Sequence, residues 1–410
     1  MKKITFLGDI MAEPPVLKAA KRKDGSYDFS GVFARVRPLL AKSDYVVGNL
    51  ETPLAGKEAG YTQNHLAFNA PDEYAVACKE AGIDLLSTAN NHTFDRNYAG
   101  MERTIRTLDA LGISHTGSFL PGTEREEAFY TELDGTKLAI ICYTYGTNYA
   151  GSGQKCLAEG EYAGTLNLLR PQPEGTYLPG VLRGKDWVDK LYKKLRDVPI
   201  GIDNTNDLKN NFKRLVGMES TYARADDRVG EDFCAPYLAQ LQADIRKAKE
   251  KADLVFVYPH VGGQFNEKPG EFSRYVVEKA VEAGADAVLC THSHIPQRME
   301  RKGDCVVSYC LGNFNMNPVS YLAIPRSLTN YGYTVHLYVD GGKLLRTTFS
   351  MMKNIVEKDG QIASCPVWEL YDTLPEGKKK AALKKDITHL YGRITGRDLP
   401  DVPRQEEYTF

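Results

Sequence analysis

Residues 287–294 read Ala287-Val-Leu-Cys-Thr-His-Ser-His294, and the fold class turns on this stretch. Ala287 to Cys290 is a short apolar run bounded by polar residues, which predicts a strand buried on both faces. A helical pattern from Phe272 to Ala283, closed by Gly284, precedes it. A helix feeding a buried strand belongs to an α/β sheet, and such sheets bind ligands beyond the carboxyl ends of their strands. His292 and His294 fall at that end. At i and i+2 in extended chain, both imidazoles face one side. That spacing suits a divalent metal such as zinc, iron or manganese; two polar residues capping a loop is the alternative.

The same plan recurs outward from this stretch. Lys3-Ile-Thr-Phe-Leu-Gly-Asp9 predicts a strand ending at Asp9, with Gly8 expected to let the backbone turn. Asp44 to Glu51 predicts a second strand, closing on Asn49 and Glu51, which either bind or shape the turn before Pro53. Ile83 to His92 predicts a third, with Asn90, Asn91, His92 and Asp95 crowded at its end. Lys137–Tyr143 predicts a fourth strand, and Leu254–His260 another that ends in His260. Cys305 to Phe314 reads as one more, ending at Gly312-Asn313. Helical patterns at 33–41, 72–81, 100–111 and 234–251 lie between them, so the order argues a layered α/β sheet. His115 reads as an ordinary histidine at a strand end. Asp9, Glu51, Asn91 with His92, His260, His292 with His294, and Asn313 thus recur at one end of successive strands. Three histidines, two carboxylates and an amide oxygen can hold two divalent ions for hydrolysis. A mixed oxygen and nitrogen set without thiolate favours Mn, Fe or Zn.

From Thr144 to about Phe233 the strand pattern stops, and only Trp187–Arg196 reads as helix. A gap of this length is an insertion rather than a loop. It is either a cap over the strand ends or a peripheral elaboration. Tyr145, Tyr149, Arg170, Tyr177 and Arg183 in it suit an anionic, extended substrate. Tyr331–Val339 and Leu344–Met351 predict an antiparallel pair turned at Asp340-Gly-Gly342. The expected organisation is a principal domain over 1–345, with the insertion at 144–233, and a C-terminal extension over 346–410.

Composition narrows the function classes. The 410 residues are 42% hydrophobic and 26% charged with a formal net charge of −1, as in ordinary globular proteins. No basic excess points to nucleic acid or to an anionic membrane. The run Gly377-Lys-Lys-Lys-Ala-Ala-Leu-Lys-Lys385 reads as the solvated face of a helix. Met1–Asp9 has too short an apolar stretch for a signal peptide, and no run reaches the roughly 18 apolar residues of a membrane span. Eight scattered cysteines without a C-x-x-C read as reduced thiols. The expected localisation is cytoplasmic, with no membrane span.

In order, Gly8-Asp9, Gly48-Asn-Leu-Glu51, Asn90-Asn-His-x-x-Asp95, Pro259-His260, His292-x-His294 and Leu311-Gly-Asn-Phe314 resemble the CapA family. These are bacterial capsule (poly-γ-glutamate) synthesis proteins, related to calcineurin-like metallophosphoesterases. The likeness covers roughly residues 3 to 316. It implies a four-layer α/β/β/α metallophosphoesterase-like sandwich with an inserted cap segment, built around two divalent metal ions. On the resemblance, Glu51 bridges the ions. Asn91, His260 and His292 would bind one ion, and Asp9 and His294 the other. His92 would protonate the leaving group or stabilise the transition state, and Asp95 would orient His92. Two departures stand out. Asp9-Ile-Met11 replaces the wider Asp-x-His pattern, and Glu51 replaces an aspartate, so the first ion is expected to be weakly held or absent. Many members carry a membrane anchor, which is not expected here. Two functions follow from the resemblance. One is a metal-dependent hydrolase of a phosphoester or γ-glutamyl amide. The other is a non-catalytic accessory protein that binds an anionic polymer beside capsule-synthesis partners.

Overall fold

Apolar runs alternating with amphipathic stretches build two facing sheets in the computed structural model, which describes residues 1–63, 67–148, 150, 156–172, 226, 231–318 and 328–410. In chain order the strands are β1 (Lys2–Ile10), β2 (Tyr45–Leu50), β3 (Leu85–Ser87), β4 (Ser114–Thr116), β5 (Phe129–Leu133), β6 (Thr136–Thr144), β7 (Leu254–His260) and β8 (Ala287–Leu289). They continue with β9 (Met299–Lys302), β10 (Cys305–Ser308), β11 (Asn313–Asn315), β12 (Tyr331–Asp340), β13 (Lys343–Val356), β14 (Ile362–Pro366) and β15 (Tyr408–Thr409). The first sheet runs β14-β13-β12-β1-β2-β3-β4, with β11 beside β1 and β15 beside β13. The second runs β5-β6-β7-β8-β10-β9. Within each sheet the central strands are parallel, β1 to β4 in one and β6, β7, β8 and β10 in the other.

β6 explains why these strands read as unbroken apolar runs. Leu138, Ile140 and Cys142 face the opposite sheet, while Ala139, Ile141 and Tyr143 face the covering helices, so both faces are buried. Between the sheets, Ile4, Phe6 and Val47 share a core with Phe256 and Leu289, and the Phe6 ring stands edge-on to Phe256 at 5.9 Å. Each such side chain contributes about 1.5–3 kcal/mol on burial. Helices Pro14–Ala20 and Asp72–Glu80 cover the outside of the first sheet. Glu231–Lys251 and Glu271–Glu282 cover the second. The layers are therefore α/β/β/α.

The helix Lys378–Thr395 buries Leu383, Ile387, Leu390 and Ile394 in the central core and leaves Lys384 and Lys385 exposed. β13 runs through position 345, and β14 and β15 extend the first sheet, so residues after 345 add to that sheet. All eight cysteines are unpaired and buried. The expected helix Trp187–Arg196, and with it Tyr149, Tyr177 and Arg183, lies outside the described residues.

Several local readings change. The stretch Cys305–Phe314 is not one strand. β10 belongs to the second sheet and β11 to the first, and the chain crosses between them at 309–312. The pattern at 33–41 gives a helix only over Arg37–Leu40, because Pro38 starts a helix rather than continuing one. The third strand is short, Leu85–Ser87, and the polar residues after it form a loop. Gly8 does not turn the chain. It lies within β1, where a Cβ would stand 2.0 Å from the Gly312 carbonyl oxygen of the crossover. That close approach lets the Asp9 amide donate to the same carbonyl at 3.0 Å.

Gly8→Ala should therefore force β1 and the crossover apart. The expected cost is about 2 kcal/mol, the overpacking range, read as a lower urea midpoint at unchanged slope. An unchanged midpoint would show that the crossover yields freely.

Candidate metal centre

Parallel strands of both sheets deliver their carboxyl ends to one place. Asp9 is still within β1, and Glu51 follows β2 with its amide bonded to the Ile10 carbonyl at 3.0 Å. His260 closes β7, while Asn91, His92 and Asp95 follow β3. His292 and His294 follow β8. All of these side chains are buried.

The two histidines after β8 do not alternate along extended chain as expected. His292 has φ 97° and His294 φ 55°, so both sit in left-handed backbone. The strand has ended and the chain must turn at the site. Such conformations cost of order 1–3 kcal/mol each in non-glycine residues and persist where surrounding contacts over-determine them. Here the His292 amide donates to Asp9 Oδ2 at 3.1 Å, tying the turn of one sheet to a strand of the other.

Glu51 is the centre of the cluster. Its Oε1 lies 3.4 Å from His260 Nε2, 3.6 Å from His294 Nε2 and 3.8 Å from His92 Nε2. Ligand atoms of Glu51, His260 and His292 fall within 4.8 Å of one another, as do those of Asp9, Glu51 and His294. Either trio can hold a metal ion, and Glu51 is common to both. Asn91 Oδ1 joins the first trio, 2.6 Å from His260 Nε2. Both oxygens of Glu51 and both ring nitrogens of His292 are buried with no hydrogen-bond partner among the described residues. Leaving a buried polar atom unmade costs about 1–3 kcal/mol, and a cation between these groups would satisfy them. By that test the residues fit a divalent ion.

Partners around the cluster orient it. Asp9 Oδ1 accepts from Asn49 Nδ2 at 2.7 Å, and His260 Nδ1 lies 2.9 Å from Thr291 Oγ1 and 3.1 Å from the same Asn49 amide. His294 Nδ1 lies 2.9 Å from Asn313 Oδ1, so Asn313 orients a histidine of the cluster. His92 Nδ1 meets Asp95 Oδ2 at 2.6 Å, and that carboxyl also accepts from the Phe68 amide at 2.5 Å while the Phe68 ring lies 4.3 Å from the imidazole. Such second partners fix tautomer and ring direction.

Charge is arranged accordingly. Burial holds the His292 imidazole well below its ordinary pKa, helped by the neighbouring histidines, so it is neutral and free to bind. His294 goes the other way: burial lowers it, but the carboxyls of Glu51 and Asp9 outweigh that and raise it to about 9. Burial would raise Asp9, yet the His294 hydrogen bond and the charges of His260 and His294 hold it low. His92 is raised against its burial by Asp95 and then Glu51.

Thr291, Phe68 and Asn148 belong to the site without having stood out in the sequence, whereas Asn49 stood with Glu51 at the end of the second expected strand. Asn49 shares a strand face with Glu51 two residues on, which was its signal. Thr291, Phe68 and Asn148 come from loops and had none. Asn148 donates its amide to the Asn91 carbonyl at 2.7 Å and brings its Nδ2 to 3.5 Å from His92 Nδ1. Tyr145, read as a substrate contact, is buried with its ring 4.5 Å from that of His292. His115 bonds Asp109 at 3.0 Å, outside the cluster. Met11, at the position where the wider pattern has histidine, is buried and its carbonyl accepts from Tyr74 at 3.1 Å. A cleft of about 1420 Å³ between the C-terminal helix and β9 is lined by none of these residues.

No described helix is long and apolar enough to cross a membrane. Among solved structures, a hypothetical protein from Thermus thermophilus aligns over 86% of this chain and 99% of its own at 14% identity, with a TM-score of 0.40. The capsule biosynthesis protein CapA of Bacillus anthracis is 25% identical over 314 residues, 76% of this chain and 59% of the relative. The PGA biosynthesis protein CapA of Bacillus subtilis (strain 168) is 23% identical over 316 residues, 76% of this chain and 62% of the relative. The chain thus spans about three fifths of the length of these relatives. The sequence profile of the bacterial capsule synthesis protein PGA_cap family matches residues 3–318, most of the chain, and with the ordered strand-end motifs it makes this protein a member of that family.

Proposed function

We propose that the protein is a metal-dependent hydrolase acting on a phosphoester or a γ-glutamyl amide, in capsule or poly-γ-glutamate metabolism. One observation carries the reading: Glu51 and His292, beside Asp9, Asn91, His260 and His294, keep all four of their buried side-chain polar atoms without hydrogen bonds among the described residues. Glu51, Asn91, His260 and His292 would hold one divalent ion, and Asp9, Glu51 and His294 a second. The absence of thiolate in the set favours Mn, Fe or Zn. Bound ions of this kind activate water and stabilise the oxyanion that develops.

His92 supplies the proton chemistry. Asp95 occupies its Nδ1, which leaves Nε2 directed toward Glu51, 3.8 Å away. Asp95 and then Glu51 raise its pKa against burial, which favours the protonated ring that a leaving oxygen or nitrogen would need. A substrate-facing role for the start of the insertion is supported by the contacts of Asn148 with Asn91 and His92; most of the range 144–233 lies outside the described residues. The capsule connection rests on the names of the Bacillus relatives. Met11 favours a second reading, an accessory protein that binds an anionic polymer within a synthase complex, because it leaves the Asp9 side of the site short of a ligand.

Purified protein should contain Mn, Fe or Zn by elemental analysis, and His292→Ala should lose most of it. Carefully handled wild type without any of these metals would sink the dinuclear reading.

Metal affinity should also depend on pH in a defined direction. In the metal-free protein His294 holds its proton below about 9. A cation must displace that proton, so apparent affinity should weaken as pH falls below about 9. Calorimetric titration at pH 6.5 and 8.5 measures this, and equal affinities would remove His294 from the ligand set.

His92→Ala should keep fold and metal but lose turnover by about 10²-fold or more, as for loss of a general acid. The assay is a panel of phosphoesters and γ-glutamyl peptides. Full turnover in the variant would exclude His92 from the chemistry. No turnover by wild type, together with polymer binding, would favour the accessory reading.

A further inference from the structure

We propose that Tyr145 is the positioning residue of His292, with Arg170 as its anchor; the inference rests on the metal reading above. The argument begins with an asymmetry among the site histidines. His92 bonds Asp95, His260 bonds Thr291, and His294 bonds Asn313, each through Nδ1. His292 has no hydrogen bond on either ring nitrogen among the described residues, and its backbone is held at φ 97°. A metal-binding imidazole ordinarily has its second nitrogen fixed by a partner. In His292 the ring direction must be set by packing instead.

Three rings lie against it. His260 is 4.7 Å away at 56° and His294 is 5.8 Å away at 62°, centroid to centroid. Both belong to the candidate ligand set. The nearest of the three is Tyr145, at 4.5 Å and 39°. Tyr145 itself is firmly placed. It follows β6, and its amide donates to the His260 carbonyl at 3.0 Å. Its carbonyl accepts from Arg170 Nε at 3.1 Å. The Arg170 guanidinium then lies 5.1 Å from the Tyr145 ring centroid and 5.2 Å from that of Phe272, on the helix behind β8. Leu169, next to Arg170, donates to the Thr144 carbonyl at 2.8 Å, which keeps the segment against β6. Aromatic and cation–ring contacts of this kind contribute about 0.5–2 kcal/mol each. The face of Tyr145, rather than its hydroxyl, is what His292 meets.

The experiment is cobalt(II) and manganese(II) titration into metal-free full-length protein, followed by calorimetry and, for cobalt, by visible absorption. Tyr145→Ala should weaken binding by about tenfold or more, within the range seen when a ligand loses its support, and should alter the cobalt spectrum. Tyr145→Phe keeps the ring and should restore both to within about threefold of wild type. Arg170→Met should fall between them. Should Tyr145→Ala not fold, Tyr145→Leu fills the same space without an aromatic face and should show the same loss. Wild-type affinity and spectrum in the Ala or Leu variant would overturn the proposal. A Phe variant as weak as Ala would also overturn it, by assigning the effect to the hydroxyl. If wild type itself binds neither ion, it is the metal reading that fails.

Discussion

The Glu51 carboxyl group is fully buried and makes no hydrogen bond among the described residues, and much of the architecture follows from that. An isolated buried charge is costly unless paired or bound to a metal. The chain answers by setting His260, His294 and His92 within 3.8 Å of one oxygen. Those histidines come from β7, from the turn after β8 and from the loop after β3, which lie in two different sheets. A site assembled this way requires the two sheets to end at the same edge and to stay there. Facing sheets with parallel central strands provide that, since each parallel strand brings its carboxyl end to one side.

Asp9 and the crossover hold the sheets in register. Asp9 takes hydrogen bonds from Asn49 in its own sheet and from the His292 amide in the other. A few residues earlier, the Tyr258 hydroxyl donates to the Leu7 carbonyl across the same gap. The chain then passes bodily from the second sheet to the first between β10 and β11, under Gly8. Asn313 lies opposite Asp9 in the pairing and bonds His294 through its amide oxygen. Packing, backbone crossover and ligand orientation are therefore served by the same few residues. A change at Gly8 or Asn313 acts on stability and on the site together.

Much of this was legible in the sequence because the signals were local. Buried parallel strands read as apolar runs, and the residues just past each run mark the strand end whatever the tertiary detail. Asp9, Glu51, Asn91, His92, His260, His292 and His294 were found that way, and the structure brings them together. The readings that failed needed non-local information. Periodicity cannot show that Cys305–Phe314 changes sheets halfway, because Val306 and Phe314 are equally apolar in either. The i, i+2 argument for His292 and His294 assumed extended chain, while the observed turn is imposed by contacts with Asp9. Gly8 was read as a hinge, although its small size matters through Gly312, which is remote in sequence. Thr291, Phe68 and Asn148 act through partners on other elements, and no spacing rule reports that.

The ligand set and its support divide unevenly between the sheets. Asp9, Glu51 and Asn91 come from the first sheet and are hard oxygen donors. His260, His292 and His294 come from the second and are nitrogen donors. Neither sheet alone offers a mixed set, so binding a cation there would be coupled to docking one sheet on the other. Hydrogen bonding follows the same division. The oxygens of Asp9 are already bonded, while those of Glu51 are not, so Glu51 is the donor with capacity to spare. It lies at the seam, within 3.8 Å of His260 and His294 from the second sheet and of His92 from the first, so an ion bound there would contact both sheets through it. A bound ion would then act at the interface between the sheets rather than within either one.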